Sequence, residues 1–456
     1  MGLVQREIER AGIPTIGVSI VRSYSEQVRP PRTVFLRWPY GHPFGEPFKA
    51  AQQRTVLRAA LKALVEIAEP GTIVDLPYRW RRETYEESSQ LTRRSFLAFG
   101  VATVAAPLAF PAPSLAARPA TRTLGRTQLA VSELGMGVMI TPNPEVVRAA
   151  LDAGVTYFDT ARNYMGGRNE AILAEGLGAR RKEVVVATKC ENYGSVAAII
   201  ASCEQSLAAL KTDWIDVYQL HGVSSRAQVL APQCLEALAT LRKAGKIRCA
   251  GVTTHSAMIE VIAAAIEAGV YDTVLTTFNF REPPGLGEAV RRAAAAGLGV
   301  IAMKIMAGGY QDAAVPALNP FQGALRWVLR QPGVATTIPS LVSFEQLKQN
   351  LDAAAVSFGA RDALALELYA AAIESRHCRV CGGCRGQCAR GADVPAIMRA
   401  LMYHEGYGQS RLARETLAAA DFPCGSCERC TVTCRSGVRI VERVAAALRL
   451  RGPASA

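Results

Sequence analysis

No apolar run in this 456-residue chain reaches the roughly 18–20 residues that a bilayer-spanning helix needs, although half of the residues are hydrophobic. A stable membrane span is therefore not expected. No cysteine precedes Cys190, so the N-terminal segment offers no thiol chemistry. No G-x-G-x-x-G motif follows a strand-like stretch, and Gly166-Gly167 is only a weak glycine signal. That absence argues against an open doubly wound sheet with a dinucleotide fingerprint. Residues 119–374 carry no net charge, so a basic nucleic-acid footprint is missing there. The net charge of +13 comes from the flanks, with +6 over residues 1–118 and +7 over 375–456.

Cysteine is scarce through most of the chain and then abundant. Eight of the twelve cysteines fall in two matching runs, Cys378, Cys381, Cys384, Cys388 and Cys424, Cys427, Cys430, Cys434. Each reads C-x2-C-x2-C-x3-C. That spacing lets one loop deliver three thiolates to a [4Fe-4S] cluster. A pair of zinc knots is the alternative, but zinc sites rarely use this triple run. A disulfide framework suits small secreted domains rather than a long, core-rich chain. The basic residues of the tail are all arginine, and they surround the runs. Guanidinium groups there offset the negative charge of a thiolate-ligated cluster or form a docking face for an acidic partner. The runs start 46 residues apart, and residues 395–420 between them read mostly as helix with a break near Gly406 and Gly408. In two-cluster ferredoxins the fourth cysteine of each run serves the other cluster. Cys434 is thus expected with the first three thiols, and Cys388 with the second three. Ala389 and Arg435 stand where many relatives have proline after the fourth cysteine.

The middle of the chain alternates strand and helix. A short hairpin spans Thr123 to Glu133. Apolar strands follow near 135–139, 156–159, 183–189, 214–220, 247–252, 273–279, 299–304 and 335–339, separated by Ala-rich amphipathic helices. Eight strand–helix repeats in about 240 residues predict an α/β fold, a (β/α)8 TIM barrel. The tail adds a C-terminal helical ferredoxin-like domain, and residues 1–87 form an N-terminal extension.

Barrel sites sit at the C-terminal ends of strands. Those ends supply Asp159 with Tyr164 in its loop, Lys189, and His221. A tyrosine is a poor acid at neutral pH unless a nearby cation lowers its pKa. Lysine supplies that cation, a carboxylate anchors the lysine, and histidine orients a carbonyl. Together they suit protonation of a carbonyl oxygen while hydride reaches carbon. Singly, each residue has a plainer reading as a helix cap, a solvated strand end, a rim histidine or loop packing.

The segments Phe158-Asp159-Thr160-Ala161 with Tyr164, Ala187-Thr188-Lys189 and Tyr218-Gln219-Leu220-His221 resemble the catalytic motifs of the aldo/keto reductase family. Gly251 to His255, Phe278-Asn279, Ala302-Met303-Lys304 with Gly308-Gly309, and Ile338-Pro339 followed by Asn350 are similar to its later motifs. The resemblance covers roughly residues 120–360, and the tail resembles a subgroup with a two-cluster extension. It implies a catalytic tetrad of Asp159, Tyr164, Lys189 and His221. It also implies NADP(H) or NAD(H) across the barrel mouth, near Thr253, Thr254, Met303, Lys304, Ser340, Gln346 and Asn350. The chain departs from the family where Met303 replaces a stacking tyrosine and Leu275 replaces a glutamine. It departs again at Ser340 and Gln346, which stand where NADP-dependent members have basic residues. Of the other cysteines, Cys203, Cys234 and Cys249 read as small apolar packers. Cys190, beside Lys189, is the one worth testing for reactivity.

Thr92-Arg93-Arg94-Ser95-Phe96-Leu97 resembles a twin-arginine export signal. A mild apolar stretch and a small-residue cleavage site near Ala116 or Ala117 follow it. An Ala-rich linker is the alternative. Residues 2–9 read as an amphipathic helix, followed by a turn and a strand over 16–20. With Arg29-Pro30-Pro31-Arg32 and Phe44-Gly45-Glu46-Pro47, this segment resembles a C-terminal part of the selenoprotein B component of glycine, sarcosine and betaine reductases. It lacks that family's reactive residue. It reads as a gene fusion or as a translation start placed too early.

The expected organisation is a fragment at 1–87, a signal-like segment at 88–118, a reductase barrel at 119–360 and a two-cluster domain at 361–456. The expected function is nicotinamide-dependent carbonyl or alcohol hydride transfer coupled to two [4Fe-4S] clusters. The alternative is an electron carrier with a silent barrel. A small carbonyl or alcohol substrate and a redox partner protein are implied, and no nucleic acid. Export is expected if the signal is used, and a cytoplasmic location if the N-terminal extension blocks it.

Overall fold

The computed structural model describes residues 2–38, 44–45, 49–80, 118–314, 318–425 and 430–451. The chain divides into two compact units, residues 1–109 and 110–456. The twin-arginine motif and its apolar stretch lie outside the described residues.

In the first unit, strands β1 (Gly17–Ser19), β2 (Arg32–Phe35) and β3 (Thr72–Asp75) form a parallel sheet in that order. Parallel neighbours need crossover connections. The helices Arg22–Val28 and Ala50–Glu66 lie in those connections. Val34, Ala60, Ala63 and Ile67 form a small core between sheet and helix. The expected N-terminal helix and strand are present as Gly2–Arg10 and β1.

The second unit opens with an antiparallel hairpin, β4 (Thr121–Thr123) and β5 (Ala130–Ser132). Eight parallel strands follow: β6 (Met136–Gly137), β7 (Tyr157–Asp159), β8 (Val185–Cys190), β9 (Ile215–Leu220), β10 (Ile247–Thr254), β11 (Thr273–Thr277), β12 (Gly299–Met303) and β13 (Val334–Thr337). They pair in chain order. Parallel bridges Leu134–Thr337 and Gly137–Ser340 join the last strand to the first and close the barrel. This is the expected (β/α)8 architecture, with a helical C-terminal region and an N-terminal extension.

The closing seam depends on glycine. A Cβ at Gly137 would stand 2.7 Å from the Ile338 carbonyl oxygen, which is backbone and has little freedom to give. Gly137→Ala is expected to cost about 1–3 kcal/mol through overpacking. Thermal unfolding should show Tm lowered by about 2–4 °C per kcal/mol.

Side chains alternate along each strand. Tyr157, Val185, Ala187, Val217, Leu275, Ile301 and Met303 fill the barrel interior together with Leu124, Leu129 and Val131 from the hairpin. The outward set, including Phe158, Val186, Tyr218 and Leu220, packs against the helices. Register then does the positioning. Asp159 pairs with Ala187, and Lys189 pairs with Gln219. All four continue the inward-facing set, so the polar members Asp159, Lys189 and Gln219 crown the apolar interior at the C-terminal ends.

The C-terminal region packs its own core from helices Val394–Glu405, Ser410–Ala418 and Ile440–Arg451. The predicted helix over 395–420 breaks between Glu405 and Ser410, at the expected glycines. Asp393 caps the first of these helices by accepting from Ala396 N at 3.1 Å. Among the described residues no helix is long and apolar enough to cross a membrane.

Candidate active site and cysteine sites

Asp159, Tyr164, Lys189 and His221 meet at the barrel mouth. The Lys189 ammonium donates to Asp159 Oδ1, and to the Thr160 carbonyl at 2.6 Å. Asp159 Oδ2 accepts from Gln219 Nε2 at 3.1 Å. Asp159 and Lys189 are 2% and 1% exposed, so this pair sits where removal of one partner strands the other as a buried charge. Lys189 Nζ lies 4.9 Å from the Tyr164 ring centroid. The Tyr164 and His221 rings stand edge to face, with centroids 5.8 Å apart.

The electrostatics differ from expectation in one respect. Burial first, then Asp159, Tyr403 and Glu191, hold the Tyr164 hydroxyl well above the ordinary phenol range. Lys189 does not lower it, because its cation is taken up by Asp159 and the Thr160 carbonyl. Burial pulls the Lys189 ammonium down against the attraction of Asp159. His221 is also held below its ordinary value, chiefly by burial. Glu191 Oε1 approaches His221 Nδ1 at 2.9 Å but lies off the line of a hydrogen bond. Tyr164 thus stays protonated and His221 neutral near pH 7.

The neighbouring His255 is driven well below its ordinary pKa by burial, then by Lys304 and Arg399. In the unfolded chain both histidines titrate near 6.5, so below that pH the unfolded state binds more protons. Stability is full above pH 6.5 and falls as the pH drops toward the depressed folded values. Thermal melts from pH 7.5 to 5 should show the loss, at most about 1.4 kcal/mol per pH unit for each histidine. His221→Asn and His255→Asn should each flatten the slope.

The residues expected to hold a dinucleotide fall into two groups. Thr253, Thr254, Met303 and Lys304 lie at the ends of β10 and β12. Thr253 Oγ1 accepts from Gly222 N at 2.8 Å, and Thr254 Oγ1 donates to the Ser256 carbonyl at 2.6 Å, so both hydroxyls brace loops. Met303 is buried with the barrel interior. Ser340, Gln346 and Asn350 follow β13. Gln346 Oε1 accepts from Val342 N at 2.9 Å, and Asn350 Nδ2 donates to the Gln346 carbonyl at 2.8 Å. Helix 394–405 lies against the mouth, with the Tyr403 hydroxyl 3.4 Å from Lys304 Nζ.

Cys190 is fully buried and its thiol is pushed up by burial, which corrects the expectation that it is the cysteine to test. Cys203, Cys234 and Cys249 are buried packers, as expected.

The first cysteine run does not close on itself. Cys378, Cys381, Cys384 and Cys434 line one cavity, together with Arg379 and Arg435. Val380 N donates to Cys378 Sγ at 3.3 Å and Ser436 N to Cys434 Sγ at 3.4 Å. Burial pushes the Cys378 thiol up to about 12 against the first of these contacts. Among the described residues no group of three or more His, Cys, Asp or Glu is placed to hold a metal ion. Gln387 ties the two runs together, accepting through Oε1 from Thr433 N at 2.8 Å. Cys388, Cys424 and Cys430 pack on the same small core, and Cys427 lies outside the described residues.

Gln219, Glu191, Arg399 and Tyr403 were not singled out from sequence. Gln219 was accessible, because it continues the inward alternation of Val217 two residues on. Arg399 and Tyr403 were not, because only tertiary packing brings their helix to the barrel.

A sequence profile of the aldo/keto reductase family matches residues 143–320. An uncharacterized oxidoreductase of Bacillus subtilis is 29% identical over 280 residues, which cover 51% of this chain and 90% of the relative. An uncharacterized oxidoreductase of Mycobacterium tuberculosis is 31% identical over 284 residues, covering 53% and 87%. The crystal structure of a Klebsiella pneumoniae aldo-keto reductase in complex with NADPH is 25% identical, with a TM-score of 0.46, over 55% of this chain and 95% of that one. The chain belongs to the aldo/keto reductase family and is an oxidoreductase of that type.

Proposed function

We propose that the barrel reduces a carbonyl, or oxidises an alcohol, by hydride transfer with a nicotinamide cofactor, and that the C-terminal region couples this to single-electron exchange with a redox partner protein, which supplies or takes up the electrons that cross two [4Fe-4S] clusters. The observation that carries the reading is the meeting of Asp159, Tyr164, Lys189 and His221 at the strand ends. Bound nicotinamide supplies hydride, and bound clusters supply one-electron steps. The chain's residues do the rest. Gln219 orients Asp159, and Asp159 holds Lys189. The Lys189 ammonium, held by Asp159 and the Thr160 carbonyl, lies beside the Tyr164 ring. The Tyr164 hydroxyl gives that proton to the carbonyl oxygen, and neutral His221 orients the carbonyl without competing for it. Cys378, Cys381, Cys384 and Cys434 would hold one cluster, and Cys388, Cys424, Cys427 and Cys430 the other.

The nicotinamide fit rests on Lys304 at the mouth and Asn350 behind β13. Helix 394–405 above Lys304 favours the second reading, an electron carrier with a silent barrel, if it stays in place. Anaerobic steady-state assays decide between them, using NADH or NADPH, a panel of aldehydes and a viologen dye. Aldehyde-dependent oxidation of reduced cofactor is the expected result. No cofactor binding at millimolar concentration would remove the hydride half.

The arginine pair at 93–94 supports export by the twin-arginine route. Arg93→Lys with Arg94→Lys should retain the protein inside the cell on fractionation. Residues 1–87 are read as carrying no chemistry of their own.

A further inference from the structure

A narrow cavity separates the barrel mouth from the first cysteine loop. Lys304, His255 and Thr277 line it from the barrel, Arg399 from helix 394–405, and Cys378 from the loop. Two cations thus face it, and among the described residues no carboxylate stands within ion-pair distance of either. The Lys304 ammonium has only weak company, with the Tyr403 hydroxyl at 3.4 Å and the Tyr403 and Tyr407 ring centroids at 4.9 and 5.8 Å.

Two polar atoms on the same walls lack partners. His255 Nδ1 and Thr277 Oγ1 are buried without a hydrogen bond, and Thr277 is 6% exposed. Unpaired buried polar atoms are costly and call for an explanation. Lys304 also holds a left-handed backbone, φ +55°, that side chains rarely adopt. The Asn279 amide pins it there by donating to the Lys304 carbonyl at 3.0 Å. Burial first, then Lys304 and Arg399, hold His255 below its ordinary pKa. Unpaired cations, orphan polar atoms and a pinned backbone converge on one small space.

We propose that this cavity is an oxyanion site, in which a carboxylate or phosphate group sits between the Lys304 ammonium and the Arg399 guanidinium and accepts from the Thr277 hydroxyl. Its position gives the site a use. The His255 ring lies 6.4 Å from His221, which lies 5.8 Å from Tyr164. A ligand anchored here by its anionic end extends toward the tetrad. As a binding site it stands whether or not the barrel transfers hydride.

The test is titration calorimetry at low ionic strength on the full chain, purified anaerobically, with sodium acetate, inorganic phosphate and NADP+ as probes. Acetate or phosphate is expected to bind at one site. Arg399→Leu or Lys304→Met should weaken that binding by about 10- to 100-fold, the value of a charge-assisted hydrogen bond. Arg399→Lys should restore part of it. Binding of the small anion independent of NADP+ is expected and assigns the seat to a substrate carboxylate or phosphate. Competition with NADP+ would overturn the proposal, because the seat would then be part of the cofactor site at Lys304. The wild-type titration needs no variant to fold. Absence of binding up to about 50 mM, far above the affinity expected of even one ion pair, would overturn the proposal. So would equal binding by wild type and both variants. A shift in a cluster potential on Lys304→Met with no anion binding would also overturn it, because the cations would then serve only to offset thiolate charge.

Discussion

A Tyr164→Phe variant is expected to lose about 10²–10⁴-fold in kcat for carbonyl reduction, the usual worth of a positioned general acid. The change removes one oxygen and keeps the ring that packs 5.8 Å from His221 and 4.9 Å from Lys189. The fold should therefore survive, and circular dichroism with thermal melting would check it. Lys189→Met is a poorer probe. It strands the Asp159 carboxylate in a buried site, at a cost of about 3–5 kcal/mol in stability. Lost activity would then report on folding as much as on chemistry. If Tyr164→Phe turns over like the parent chain, the barrel is a scaffold and the carrier reading takes over. Because burial holds the Tyr164 hydroxyl well above the phenol range, the parent's rate should not fall through neutral pH on its account.

The second large effect concerns iron. Paired cysteine replacements separate ligands that share a cluster from ligands that do not. Cys381 and Cys434 line one cavity, so Cys381→Ser with Cys434→Ser should remove one cluster and leave about half of the iron and sulfide. Cys427→Ser with Cys434→Ser should strike both clusters and leave almost none. If each run instead serves its own cluster, the two results exchange places. Iron and sulfide analysis with EPR on anaerobically purified protein reads the difference directly. Zinc in place of iron would return the cysteine runs to the knot alternative.

Much of the barrel was legible because its signals are local. Strand–helix alternation, the Asp159, Lys189 and His221 strand ends, and the glycine break in the tail helix each follow from neighbours in the chain. Strand ends were placed within a few residues, and β6 is shorter than its apolar run because bridges, not a full ladder, close the seam. The tetrad's electrostatics were not legible. A lysine near a tyrosine is expected to lower its pKa, but here Asp159 and a carbonyl occupy the lysine while burial acts on the tyrosine.

Residue type and spacing by themselves determined the fold class, the polar crown on three consecutive strands and the two thiol runs, since period-2 alternation and short-loop geometry act within a few residues. Packing alone decided the remainder. It laid Arg399 and Tyr403 over Lys304, and buried Cys190. Each of these sets side chains tens or more residues apart against one another, and their energies depend on which surfaces exclude water together, a property that no local pattern carries.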